Sequence, residues 1–193
     1  MRSPVFYDLE YTAWEDSMAN HWLAPGQFRE VVQIGAVKTG PAVLEIIAEF
    51  EVLVRPRINT VLSPYLENLT GITNAAVAER GVDLREAYDR FVAFAGEGPI
   101  VSFGRDDIVL TRNLALYGIG DAPPLPLHLN IAPWLNANGV VTKSLHACDV
   151  AGACGSDFQG REHDALEDAR SLVAGARALI ARGASHIFAD DDA

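Results

Sequence analysis

The chain has 193 residues, 49% of them apolar and 21% charged, and its 15 Lys and Arg against 26 Asp and Glu leave a formal charge of −11. That composition excludes disorder as the dominant state and is ample for the core of one domain, and two cysteines, Cys148 and Cys154, exclude a disulfide scaffold and fit a reducing, cytoplasmic setting. No apolar run reaches the roughly 18 residues of a membrane span and the N-terminus lacks a basic-then-apolar leader, so no membrane partner is expected, while the acidic balance argues on its face against a nucleic-acid partner, because phosphates attract Lys and Arg.

In chain order, Pro4 to Glu10 reads as a strand of aromatic and β-branched residues, followed by a long loop over 13–27 with Pro25 and Gly26. Phe28 to Lys38 and Val43 to Val54 are rich in Val and Ile, and Thr39-Gly40-Pro41 between them predicts two antiparallel strands. Ser63-Pro64 caps a short helix that Gly71 stops, and Thr73 caps another that Gly81 ends. Asp83 starts a longer amphipathic helix with Leu84, Ala87, Tyr88, Phe91 and Phe94 at helical spacing. Pro99 to Phe103 reads as a short buried strand and Asp106 to Tyr117 as a helix with Ile108, Leu110, Leu114 and Leu116 as its apolar members. After a Pro-rich loop over 121–126, helical signals return at 131–138 and from Thr142, and a last helix runs from Ala165 to about Ala181, before Gly183. The expected fold is a single α/β domain, a mixed sheet of about five strands flanked by helices, over residues 1–185. An acidic tail over 186–193, ending Asp190-Asp191-Asp192, is expected to fray.

Three clusters carry the chemistry. Asp8 and Glu10 stand at i and i+2 on a strand, so both carboxylates share one face. Side-by-side carboxylates resist joint ionisation, and a divalent cation that prefers oxygen, Mg²⁺ or Mn²⁺, relieves the repulsion. Alone, Asp-x-Glu is more often a strand end facing water. His163-Asp164-Ala165-Leu166-Glu167-Asp168 opens the last helix: Asp164 and Glu167 have capping-box spacing, which leaves His163 on the loop and Asp168 anchored in the first turn. At Ser102-Phe103-Gly104-Arg105-Asp106-Asp107 a strand delivers an acid to a helix start. Asp107 fronts the apolar run and is taken as the functional acid, with Asp106 as the helix cap.

Together these residues resemble the DEDD exonucleases of the DnaQ-like, ribonuclease-H-like superfamily. Asp8 and Glu10 match the first motif, Asp107 the second, and His163-x-Ala165-x-x-Asp168 the third in its histidine form. The stretch 28–37, Phe50 to Pro56, Leu69-Thr70-Gly71-Ile72-Thr73 and Ser102-Phe103-Gly104 are similar to the enhanced-RNAi and KapD-like exoribonucleases. Two departures are Phe103, where that branch has Trp, and Tyr11, where many relatives have a small residue.

The resemblance implies that Asp8, Glu10, Asp107 and Asp168 hold two Mg²⁺ or Mn²⁺ ions and that His163 is the general base. It implies hydrolysis at the 3′ end of a single strand, RNA in preference to DNA, with release of nucleoside 5′-monophosphates. Leu9, Tyr11, Thr12, Trp14 and Phe103 are expected beside the terminal nucleotide, Trp14 as the stacking residue. His21, His128, His146 and His186 are read as structural, and Arg105, Arg161 and Lys143 as cations that meet phosphate or water. The rivals are a DNA exonuclease of proofreading or repair type and a non-catalytic nucleic-acid-binding relative. Metals in the site would offset the acidic balance locally, which then implies weak, distributive binding. The sequence assigns no oligomeric state.

Overall fold

A computed structural model of the chain describes residues 2–188. Among them, β1 (Val5–Tyr11), β2 (Val31–Thr39), β3 (Ile46–Leu53), β4 (Ile100–Ser102) and β5 (His128–Asn130) form one sheet in the order β3-β2-β1-β4-β5. β1, β2 and β3 pair antiparallel, while β4 runs parallel to β1 and β5 parallel to β4. The mixed five-stranded α/β sheet expected from the sequence is therefore present. Its fifth strand lies in a segment with no strand signal, because three residues with one aliphatic side chain make no pattern.

The helices follow the capping residues closely. Ser63 accepts from the Leu66 amide to start α2 (Pro64–Thr70), and Gly71 ends it in the left-handed region at φ 69°. Thr73 caps α3 (Asn74–Arg80) and Asp83 caps α4 (Leu84–Ala95). The segment 13–27 is not wholly irregular, since it holds the single-turn α1 (Ser17–Asn20). After α5 (Asp106–Leu116) and α6 (Ala132–Ala137), the expected helix from Thr142 begins only at the tight turn over Ala147–Asp149 that leads into α7 (Val150–Ala153). α8 (Ala165–Ala181) has the predicted bounds, and Asp164 accepts from the Leu166 and Glu167 amides. No helix among the described residues is long and apolar enough to cross a membrane.

Both faces of the sheet are covered. On one, Val5, Tyr7 and Leu9 of β1 pack with Leu84, Tyr88 and Phe91 of α4 and Leu110 of α5. On the other, Phe6 packs with Val37, Val101 and, from α8, Leu172 and Val173. The strand alternation places Asp8 and Glu10 on the Phe6 side, towards α8. Phe188 is only 3% exposed and belongs to that second core. Packed chain therefore continues past the expected end of the domain at 185, because an aromatic side chain three residues beyond it finds an apolar seat. The rest of the tail, with Asp190 to Asp192, lies outside the described residues.

Candidate active site

Three backbone devices bring the acids together at one end of the sheet. β1 presents Asp8 and Glu10. α8 comes in against β2 at Gly35, where an added Cβ would stand 2.1 Å from the Leu166 amide nitrogen. Gly35 is the register partner of Asp8, so the close approach sets Asp168 over β1. Gln33, partner of Glu10 and 2% exposed, accepts from the Ala165 amide at 3.0 Å and fixes the start of α8. The third device is the turn from β4 into α5, with Gly104 at φ 112° and its amide donating to Asn130 Oδ1 at 3.0 Å.

A cavity of about 410 Å³ results, with Asp8, Glu10, Asp106, Asp168 and His163 in its wall. Ligand atoms of Glu10, His163 and Asp168 lie within 4.8 Å of one another. The aspartate that α5 delivers is Asp106, and the choice of Asp107 from the sequence is corrected. The buried side of α5 carries Val109, Leu110, Asn113 and Leu114. Asp106 precedes Val109, Leu110, Asn113 and Leu114 by three, four, seven and eight residues and lies at the centre of that side. Asp107 lies at its edge, four and eight residues before the exposed Thr111 and Ala115, and lines a separate groove with His128 and Asn130. Asp107 is held by Arg105 through two 2.9 Å bonds and faces His128 Nδ1 at 3.3 Å. Those partners hold its carboxyl below the usual range, the Arg105 hydrogen bond first. His128 Nε2 in turn meets Ser102 Oγ at 3.0 Å. This Ser-His-Asp order is a brace between β4, β5 and α5, since Ser102 is wholly buried and cannot reach a substrate.

The four acids in the cavity share one electrostatic condition. Burial pushes Glu10 and Asp168 up to about 8, with neighbouring carboxylates adding to the rise, and pushes Asp106 up to about 7, where the attraction of Arg29 opposes the rise and Asp107 adds to it. Asp8 is raised well above its ordinary value by burial and then by Asp106, Asp168 and Glu10. Asp106 Oδ2 and Asp168 Oδ1 are buried without a hydrogen-bond partner. Buried, unpaired, mutually repelling oxygens are the donor set that a hard divalent cation satisfies. The residues present therefore fit a divalent metal.

His163 stands just before α8 with φ 57°, a left-handed backbone uncommon outside glycine. Its pKa is lowered, by burial first and then by His146, whose ring lies 5.8 Å away edge-on. His146 lines the cavity, so reading it as a purely structural histidine is corrected: the loop before α7 brings it there, 17 positions from His163.

Of the residues expected beside a substrate, Leu9, Tyr11, Trp14 and Phe103 line the cavity. Thr12 does not and is corrected. It is 2% exposed, donates to the Phe28 carbonyl and accepts from the Glu30 amide at 2.9 Å, tying the end of β1 to the chain entering β2. Sequence reasoning also missed Trp22, Met18, Tyr65 and Leu69 in the wall. Trp22 Nε1 donates to the Thr12 carbonyl at 2.7 Å, a long-range contact with no local signature.

A mixed sheet with an acid pair on its first strand and single acids at the starts of two helices defines a ribonuclease-H-like nuclease fold. Residues 5–174 match the family described as Exonuclease (RNase_T), and the chain belongs to that family. The chain is 26% identical to ERI1 exoribonuclease 2 of Mus musculus over 203 aligned positions, covering 93% of this chain and 28% of that protein. It is 31% identical to ERI1 exoribonuclease 2 of Homo sapiens over 87 residues, 45% of this chain and 12% of that protein. The chain thus spans under a third of the length of these relatives. Among solved structures, the nuclease domain of 3′hExo, a DEDDh family member, bound to rAMP, superposes with a TM-score of 0.76 at 22% identity, covering 94% of this chain and 93% of that one.

Proposed function

We propose that the protein is a metal-dependent 3′–5′ exonuclease that removes nucleoside 5′-monophosphates from single-stranded ends, RNA in preference to DNA. The carrying observation is the convergence of Asp8, Glu10, Asp106 and Asp168 with His163 in one cavity, two carboxylate oxygens being buried and unpartnered. In this reading the four acids hold two Mg²⁺ or Mn²⁺ ions. Bound there, such ions supply an acidified water and neutralise charge at the scissile phosphate. His163 takes the proton of the attacking water at an imidazole nitrogen, and its lowered pKa keeps it neutral and able to accept near pH 7. Phe103 and Trp14 offer apolar faces to a terminal base. Preference for RNA is supported by the exoribonuclease relatives. A reducing, cytoplasmic setting is proposed from the free thiols of Cys148 and Cys154.

The test incubates 5′-labelled RNA and DNA oligomers with Mg²⁺, Mn²⁺ or chelator. A ladder shortening from the 3′ end, faster on RNA and lost with chelator and in Asp8→Ala, is expected. Oligomers uncut under every metal condition overturn the proposal.

A further inference from the structure

The catalytic cavity opens past two different walls. Beyond Trp22, which lines both, lies a groove of about 530 Å³ with Arg29, Arg105 and Arg112 in its wall. Beyond Leu145 lies a groove of about 660 Å³ whose charged members are Asp149 and Glu162. In a chain with a formal charge of −11, three arginines in one groove are a local reversal of sign.

These arginines differ in what already holds them. Arg105 is paired with Asp107, as Arg57, Arg85, Arg90 and Arg170 are paired with acids elsewhere. Arg29 and Arg112 form no ion pair among the described residues. Arg112 is exposed on α5, seven positions and so two turns after Arg105 on the same side. Arg29 has its guanidinium carbon 3.9 Å from the Tyr11 ring centre and 4.4 Å from that of Trp22. It donates to the Tyr11 hydroxyl, and its Nε is buried without a partner. An arginine stacked on two aromatics is held in place without a contact ion pair, although Arg29 also attracts Asp106 on the cavity floor and lowers its carboxyl. Trp22 and the half-exposed Phe28 add aromatic faces along the same groove.

We propose that this groove carries the phosphate backbone of the nucleotides upstream of the scissile bond. The inference rests on the exonuclease reading: a strand whose 3′ end sits on the acids must leave the cavity, and it leaves past the free arginines, not past Asp149 and Glu162. Unpaired cations with interleaved aromatics grip a single strand without regard to base sequence. Affinity then comes from strand length, in contrast to the terminal nucleotide that meets the acids.

The test uses 5′-fluorescein oligomers of two, four and eight nucleotides whose last linkage is a phosphorothioate that resists hydrolysis. Affinity is read by anisotropy in Mg²⁺ over a range of salt. Affinity is expected to rise with length in the wild type. In R112E the eight-nucleotide affinity falls by about tenfold, and the slope of log affinity against log salt shrinks by about 0.7, one single-strand phosphate contact. R2E makes the same change in net charge before the start of β1, at the end of that strand away from Glu10, and is expected to bind like the wild type. Equal affinity for two and eight nucleotides, or an R112E protein that binds like R2E, overturns the groove. Uncut ladders together with an affinity that depends on length and on Arg112 overturn the activity and support the groove.

Discussion

The floor and the rim of the cavity are built by opposite rules. On the floor, Asp8, Glu10, Asp106 and Asp168 sit on β1, α5 and α8, and the junctions are pinned by Gln33 on the Ala165 amide, Asn130 on the Gly104 amide and Asn113 on the Val31 amide. On the rim, Trp14, Trp22, His146 and His163 stand in or beside loops, and the backbones of His21, Trp22 and His163 lie in the left-handed region. A rigid floor cannot spread its like charges apart, so only protons or cations relieve them. A rim held by a few hydrogen bonds adapts to what enters. Under the proposed function the difference teaches where each task resides: metal affinity on the floor, and on the rim the general base His163 together with strand grip.

The sharpest way to break this division is at two neighbouring aspartates. Asp106→Asn removes a floor ligand and is expected to lower kcat by more than the ~10²–10⁴ that a general base supplies. Asp107→Asn weakens the Arg105 and His128 contacts and is expected to keep most activity. Equal losses in steady-state assays of the two would return Asp107 to the site. Next in size, His163→Ala is expected to reduce kcat by ~10²–10⁴ while divalent binding by calorimetry persists. Lost metal affinity in that variant would make His163 a ligand, not a base.

These two tests also mark what the sequence could disclose. Asp8 and Glu10 follow from strand alternation, and the start of α8 from the Asp164–Glu167 spacing, because both rules act over two or three residues. The choice between Asp106 and Asp107 needed the phase of α5, and that phase is masked. Asn113 is buried and polar, with Oδ1 accepting from Val31 and Nδ2 donating to Arg29, while the apolar Leu116 is 39% exposed. Gln33 and Gly35 carry no local signal, since their role arises only when α8, 132 positions after Gln33, folds back on β2. The rim is the least legible part, because its residues meet through loop packing.

Two further variants separate floor from rim at smaller cost. Gly35→Ala forces α8 away from β2 and is expected to destabilise by ~1–3 kcal/mol in chemical denaturation, with activity falling as Asp168 shifts. Native stability with full activity would show that α8 is not set by that contact. Trp14→Ala is expected to leave both stability and kcat near wild type while KM rises by the ~1–3 kcal/mol of one base stack. A fall in kcat with KM unchanged would place Trp14 in the floor's support.

The smallest effect follows from the floor's charge. Acids raised to about 7 or 8 bind more protons in the folded chain than in the unfolded one, where carboxylates titrate near 4. Their stabilising contribution is complete below pH 4 and is lost as pH rises through 8. His163, His128 and His186, all lowered, act with the opposite sign below about pH 6.5. Between pH 7 and 8 those histidines are mostly neutral in both states and oppose the acids only weakly, so the acids set the sign of the slope. In chelator, stability is expected to fall over that interval by up to ~1.4 kcal/mol per retained proton. Mn²⁺ or Mg²⁺ should flatten the fall by taking the place of the protons, and Glu10→Gln should remove one proton's share of it. Thermal unfolding at pH 7 and 8, with chelator and with each metal, reads all three. Stability that rises with pH in chelator would mean that the floor already holds its charges apart.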